Sequence, residues 1–341
     1  MHFGKKIRVL VVDDSIVFRE VLSRGIASDP NIEVIATASD PFDARDKILQ
    51  YEPDVMTCDI EMPRMNGIEF IRRLMPQYPL PVVVVSTVSD AVFTAMNAGA
   101  VDFVTKPDVT SPNSVENFIR ELILKIKIAS TANLSSKSNY YLYKAMKKTN
   151  MNTHIRLIAI GASTGGTEAI YHLLKSLPSS VPGIVIVQHI PPVFSRMFAE
   201  RLNNSTELKV KEAKTGDYVE RGQVFIAPGD RHMRVRKVGD RLKIEVFEGE
   251  SVNGHCPSVD ILFESVAKAC GSNAIGIILT GMGYDGAKGL LTMRRNGAKT
   301  IGQDEKTSVV YGMPKVAYNI GAVEKQVPLD KIPQTIVSML G

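Results

Sequence analysis

A serine stands in the frame G-x-S-x-G between Gly161 and Gly165, inside the stretch IAIGASTGG that runs from residue 158 to 166. Two chemistries use such a loop. Glycine-rich turns cradle phosphates with backbone N–H groups, and the same frame exposes a serine nucleophile where a strand turns into a helix. A phosphate cradle fits less well. A P-loop needs a lysine after its glycines, whereas Gly166 is followed by Thr167 and Glu168, an acid that repels an anion. A dinucleotide site needs an acid at the next strand end. The next apolar run, GIVIVQHI, ends instead in Gln188 and His189. Imidazole is a poor ribose partner and a good general base, with an unperturbed pKa of about 6.5. A third group must orient it, and Asp285 in TGMGYDGAKGL follows another apolar run. Ser163, His189 and Asp285 thus come from three strand ends. Their chain order, Ser-His-Asp, differs from the Ser-Asp-His of α/β-hydrolases.

Each residue alone has a plainer reading. Ser163 can N-cap the helix that follows, His189 can be a hydrogen-bonded structural histidine, and Asp285 can be a turn residue. A rival triad keeps Ser163 and uses Asp230 in PGDRHM with His255 in NGHCPSVD. Neither lies at a central strand end, which ranks it lower. The adjacent His255 and Cys256 are a weak cysteine-enzyme signal, because neighbouring side chains usually point apart.

A second constellation lies near the N-terminus. Asp13 and Asp14 end the run IRVLVVDD, Asp59 ends DVMTCD, Ser86 ends PVVVVS, and Lys106 ends VDFVTK before Pro107. Carboxylates gathered beside one lysine suit a hard divalent cation such as Mg²⁺. A carboxylate can also act as a nucleophile on phosphorus, with the cation and Lys106 neutralising the phosphoryl charge and Ser86 hydrogen-bonding to it.

Such residues converge only if the chain brings strand ends together. Residues 1–130 alternate short β-rich runs with helical patterns: strands at IRVLVVDD, EVIATAS, DVMTCDI, PVVVVST and VDFVTKP, and helices at FREVLSRGIASD, FDARDKILQY, AVFTAMNAG and SVENFIRELILKIKIA. That is βαβ alternation, which builds a doubly wound parallel sheet with ligands at the carboxyl ends of its strands. Residues 131–153 turn polar and Ser/Asn/Lys-rich around a small tyrosine cluster, which reads as a linker with a short helix within reach. Alternation resumes over 154–341 and predicts a second α/β domain. Its segment 208–250 carries the turn signals TGD, PGD and VGD and reads as a β-hairpin insertion at the sheet edge.

The 341 residues suffice for two such domains, and 44% are hydrophobic. No apolar run approaches the roughly 18 residues of a membrane span. The N-terminus passes directly into a strand pattern and is not a signal peptide. The three cysteines, Cys58, Cys256 and Cys270, are scattered, which suggests reduced thiols in a cytoplasm. Charge is uneven. Residues 1–130 carry 14 Lys and Arg against 18 Asp and Glu, and the remainder carries 27 against 18. The basic second half suits an acidic partner, as nucleic acid or as an acidic protein surface, and fits equally as ordinary scatter. A DNA-binding second half is disfavoured, because 154–341 is too long for a helix-turn-helix module and carries Gly-rich strand ends.

Two resemblances follow from these motifs. Residues 5–128, with VDDS, DIEMPRMNG and TKP, resemble a response-regulator receiver domain. This implies that Asp59 takes a phosphoryl group from a histidine kinase, that Asp14 and Asp59 hold Mg²⁺ with Asp13 assisting, and that Ser86 and Phe103 relay the switch beside Lys106. Phe103 otherwise reads as a core aromatic. In the second half, IGASTGGTEAI, VIVQHIPP, FIAPGDRHM, HCPSVDILF and LTGMGYDGAKGL together resemble the chemotaxis protein-glutamate methylesterases, the CheB family. The resemblance implies Ser163 as nucleophile, His189 as base and Asp285 as orienter, with Thr164 and the Met282 N–H in the site and Met282 as oxyanion donor. Cys256 departs from it, since a basic residue is commoner before Pro257, and puts substrate contacts there in question. Implied with it are glutamyl γ-methyl esters on chemoreceptors as substrates, glutamine deamidation as a second activity, no cofactor for the esterase, and no nucleic-acid partner. The domain order further suggests a two-state control in which the receiver covers the site and moves on phosphorylation.

Overall fold

The structure is a computed structural model and describes residues 5–87, 89–107, 112–134 and 153–340. Most of the expected 131–153 linker, its tyrosine cluster included, lies outside the described residues. The chain divides into two compact units, one through Leu134 and one from Ser135 onward.

The first unit runs β1 (Ile7–Val12), α1 (Ile16–Ala27), β2 (Ile32–Ala38), α2 (Pro41–Tyr51), β3 (Val55–Asp59), α3 (Gly67–Leu74), β4 (Val82–Ser86), α4 (Ser89–Ala98), β5 (Asp102–Thr105) and α5 (Pro112–Ala129). The strands form one parallel sheet in the order β2-β1-β3-β4-β5. Every residue of β3 and β4 is buried, as the central strands of a parallel sheet covered on both faces are. Local chemistry starts the helices. Ser15, Asp40 and Asn66 each accept a backbone N–H of the first turn, and Pro41 opens α2 at a position where its missing N–H has no cost. Helix α3 is not among the expected elements. Its buried Gly67, Phe70, Ile71 and Leu74 do keep helical spacing, but it has only eight residues, short of the roughly 10–12 that separate a helix from a strand by length.

The second unit runs β6 (Leu157–Ala162), α6 (Gly166–Lys175), β7 (Gly183–Gln188), α7 (Pro192–Ser205), β8 (Lys209–Glu212), β9 (Gln223–Ile226), β10 (His232–Val238), β11 (Arg241–Phe247), α8 (Val259–Cys270), β12 (Ala274–Ile278), α9 (Ala287–Arg295), β13 (Lys299–Gln303), α10 (Met313–Asn319), β14 (Lys325–Val327) and α11 (Ile332–Leu340). Seven strands form a parallel sheet in the order β14-β13-β12-β6-β7-β9-β8. Strands β6, β7 and β12 are wholly buried at its centre.

Segment 208–250 is only partly the expected hairpin. Strands β8 and β9 extend the parallel sheet to its edge, while β10 and β11 form a separate antiparallel pair packed on α8. The turn signals explain the split. VGD closes a two-residue loop between Val238 and Arg241, whereas TGD and PGD mark chain reversals between elements that do not pair as hairpins. From β6 the chain moves to one side, to β7, on to the edge strand β8 and back to β9 between them, then crosses to β12 on the other side. The strand order therefore reverses at β6, and the carboxyl ends of β12, β6 and β7 flank the crevice where such sheets bind ligands.

Candidate active site

Ser163, His189 and Asp285 meet at that crevice. Ser163 follows the last residue of β6 and His189 the last of β7. Ala162 and Gln188 are register partners, and the His189 N–H donates to the Ala162 carbonyl at 3.1 Å. The serine is thus the next residue on one strand and the histidine the next on its neighbour. Asp285 arrives from the loop between β12 and α9.

The serine turn is fixed from several sides. Ser163 donates its N–H to the Thr280 carbonyl at 3.0 Å and accepts Gly166 N–H at 2.7 Å. Gln188 donates its side-chain amide to the carbonyls of Ser163 (2.9 Å) and His189 (3.1 Å). Gly165 has φ +76°, a left-handed conformation that glycine adopts without strain. Gly281 comes so close that a Cβ there would lie 2.7 Å from the Ser163 Cβ and 2.5 Å from the Met313 sulfur. Ser163 makes no N-cap bond to α6, whose N-cap is Gly165.

His189 Nε2 lies 3.0 Å from Asp285 Oδ2. Its other nitrogen, Nδ1, is buried without a hydrogen-bond partner among the described residues. The ring is therefore oriented from one edge and unengaged on the other. Catalytic hydrogen bonds often tighten only once substrate is bound.

Asp285 is almost fully buried and heavily hydrogen-bonded. Oδ1 accepts Ser258 Oγ (2.8 Å) and Asn253 Nδ2 (3.0 Å), and Oδ2 accepts the Val259 N–H (2.7 Å) besides facing His189. Val259 opens α8, so the carboxylate sits on a helix N-terminus. Burial alone would raise the Asp285 pKa. Hydrogen bonds from His189, Asn253 and Val259 outweigh it and hold the carboxyl well below the usual carboxylate range.

Around this core, Thr164 is buried and its carbonyl accepts Thr280 Oγ1 at 3.0 Å. The Met282 side chain is half exposed, and its N–H donates to no group among the described residues. The loop that carries it is tied down by Gly281, whose carbonyl accepts Met313 N–H at 2.8 Å.

The rival residues fall elsewhere. Asp230 is exposed at a turn with φ +59°, and His255 pairs not with it but stacks on His189, ring centroids 3.7 Å apart. Burial pushes the Cys256 thiol pKa up, the opposite of an activated nucleophile. Glu168 is buried and paired with Arg201 at 2.9 Å, so its charge is neutralised within the fold. The absent lysine, not that acid, weighs against a phosphate loop. Asn253 and Ser258 escaped the sequence reading as parts of the site, and His255 figures there only as a rival base, not as a neighbour of His189. The Asn-Gly turn and the serine before an apolar run were visible as local signals, but not their direction.

In the first unit Asp13, Asp14 and Asp59 offer ligand oxygens within 4.8 Å of one another. Lys106 Nζ donates to Asp13 Oδ2 (2.8 Å) and Asp59 Oδ2 (2.7 Å). Burial works against the Lys106 charge, yet those carboxylates outweigh it and its pKa stands above the ordinary lysine value. Burial raises the Asp59 pKa against the pull of Lys106. Three hard oxygen donors at this spacing, with Asp14 exposed, suit Mg²⁺. Ser86 is buried at the end of β4. Phe103 lies in the core on β5, with Lys125 Nζ 4.9 Å above its ring.

Comparison with known proteins places both units. The family model described as CheB methylesterase matches residues 158–336, and that of the response regulator receiver domain matches 9–113. The protein-glutamate methylesterase/protein-glutamine glutaminase 2 of Syntrophomonas wolfei is 57% identical over 336 residues, 98% of each chain. The protein-glutamate methylesterase/protein-glutamine glutaminase of Escherichia coli O157:H7 is 45% identical over 339 residues, 98% of this chain and 97% of that one. Among solved structures, the Thermotoga maritima CheB methylesterase catalytic domain is similar with a TM-score of 0.53 and 36% identity, covering 54% of this chain and 98% of that one. No helix among the described residues is long and apolar enough to cross a membrane.

Proposed function

Because the chain belongs to the CheB methylesterase family and carries a response regulator receiver domain, we propose that it hydrolyses glutamyl γ-methyl esters of chemoreceptors, and deamidates their glutamines, with Ser163, His189 and Asp285 as its catalytic residues. The observation that carries the assignment of residues is the histidine held at Nε2 by Asp285, with Nδ1 unengaged, on the strand end beside Ser163.

The steps follow from that geometry. Ser163 Oγ attacks the side-chain carbonyl as His189 Nδ1 takes its proton. Asp285 stabilises the imidazolium so formed. The Met282 N–H, free and held on an anchored loop, faces the developing oxyanion, with Thr164 lining the same space. His189 returns the proton to the leaving group, which departs as methanol from an ester or ammonia from an amide. Water then attacks the acyl-serine by the same proton route and releases the glutamate. These steps use side chains, the Met282 backbone N–H and water.

In the receiver, Asp59 takes the phosphoryl group from a histidine kinase. Mg²⁺ held by Asp13, Asp14 and Asp59 would neutralise charge on the phosphoryl oxygens. Lys106 adds a second cation there, and Ser86 and Phe103 relay the change. Phosphorylation raises the esterase rate of the second domain, so the division into residues 1–130 and 154–341 joined by 131–153 is one of regulator, catalyst and linker. A phosphorylation-switched binding protein without catalysis is the competing class. Methanol release by wild type against Ser163→Ala decides between them.

A further inference from the structure

We infer that His255, carried on the turn Val252–His255, is a positioning residue that holds the His189 ring in its reactive plane by stacking on it. This deepens the esterase reading and rests on it. The two imidazoles lie face to face, with centroids 3.7 Å apart and planes within 12°. The His255 ring makes no hydrogen bond among the described residues, so the stack itself is what its shape provides.

A face contact supplies what the carboxylate lacks. Asp285 fixes His189 at one atom, Nε2. One hydrogen bond at a ring edge leaves the plane free to tilt, and Nδ1 has no partner to stop it. A flat surface against one face removes that tilt before the serine proton is drawn. Misplacing a reacting group by about 1 Å can cost on the order of 10²-fold in rate.

The turn is built to hold that surface still. Val252 and His255 exchange backbone hydrogen bonds, both at 3.0 Å, around Asn253 (φ 56°) and Gly254 (φ 82°). Two consecutive left-handed residues suit Asn-Gly above other pairs. Asn253 then spends the two hydrogens of its amide on two carboxylates, Asp260 at 2.8 Å and Asp285 at 3.0 Å. Asp260 is itself held by the Gly289 N–H of α9 at 2.6 Å. One turn therefore reaches the dyad twice, at the carboxylate through Asn253 and at the imidazole face through His255.

The chemistry of the second ring is consistent with this role. Burial and the neighbouring His189 lower the His255 pKa to about 4, against the opposing pull of Asp285, so it is neutral near pH 7. A neutral π face avoids like-charge repulsion when His189 becomes an imidazolium and attracts that cation. His255 does not serve as the base itself, since Asp285 turns both oxygens to other donors.

The test uses the full chain, phosphorylated with a small phosphodonor and Mg²⁺, and methylated chemoreceptor as substrate. His255→Ala is expected to lower kcat about 10- to 30-fold with KM within about twofold, while His255→Phe, which keeps a flat ring, stays within about threefold of wild type. The downfield imidazole N–H proton of His189 against Asp285 should survive in His255→Phe and broaden or vanish in His255→Ala. A His255→Ala kcat within twofold of wild type, or a His255→Phe no better than His255→Ala, overturns the positioning role. So does an unchanged His189 resonance in His255→Ala. Ser163→Ala is run alongside: its loss of activity leaves the esterase reading standing whatever His255 does, and its retention removes both.

Discussion

Asp285 and Val259 share one short hydrogen bond, 2.7 Å from the helix N–H to Oδ2, the same oxygen that lies 3.0 Å from His189. The carboxylate that orients the histidine is thus anchored on the first turn of α8. Helix dipole and hydrogen bonds keep it ionised, and an ionised carboxylate is what a developing imidazolium needs.

Asp285→Asn is expected to lower kcat by about 10³- to 10⁴-fold, with KM changed far less. The amide keeps the shape but places an N–H where the carboxylate oxygens met several donors. Stability should fall by about 1–3 kcal/mol as those donors lose an acceptor. Methanol release and urea unfolding read the two effects separately.

Acid should weaken the second unit in two stages. His255 and His172 are each held neutral, with pKa values lowered to about 4, chiefly by burial. The unfolded chain binds those protons near pH 6.5 and the folded chain does not, so stability is complete above that value and falls as pH drops from about 6.5 toward 4. Asp285, with its pKa depressed, contributes stability that is complete above about 3.9 and is lost as pH falls further toward its folded value. Melting temperatures between pH 7 and 4.5 should decline in wild type. They should decline less in the double variant His172→Phe/His255→Phe, and equal slopes would contradict this.

Gly281→Ala is expected to lower kcat about 10²-fold. Its new methyl group would meet Ser163 at 2.7 Å and the Met313 sulfur at 2.5 Å, so the serine turn or the loop that carries Met282 must shift. The fold should persist by circular dichroism. An unchanged kcat would show that neither needs its present place.

Much of this arrangement was legible in the residues. Alternating apolar runs predicted both sheets, and the strand ends themselves named Ser163, His189, Asp285 and the aspartates around Lys106. What stayed hidden depends on long-range direction. Nothing local says that the side chain of Asn253 turns onto Asp285, that His255 lies on His189, or that Arg201 neutralises Glu168. Helix α3 keeps helical spacing at Phe70, Ile71 and Leu74 but is too short for length to tell it from a strand, and β8 and β9 looked like hairpin strands because turn residues mark a reversal without saying which strands then pair.

Phosphorylation is expected to raise the rate of methanol release when a small phosphodonor and Mg²⁺ are added to the full chain. Asp59→Ala should abolish that increase and leave the basal rate in place. Equal stimulation of the variant would remove Asp59 from the switch.

The most direct measurement is methanol release from methylated chemoreceptor by wild type and Ser163→Ala, both phosphorylated and at matched concentration. The account predicts a loss of several orders of magnitude in the variant, because the acyl-serine can no longer form. A variant that still releases methanol at a rate near that of wild type would contradict it.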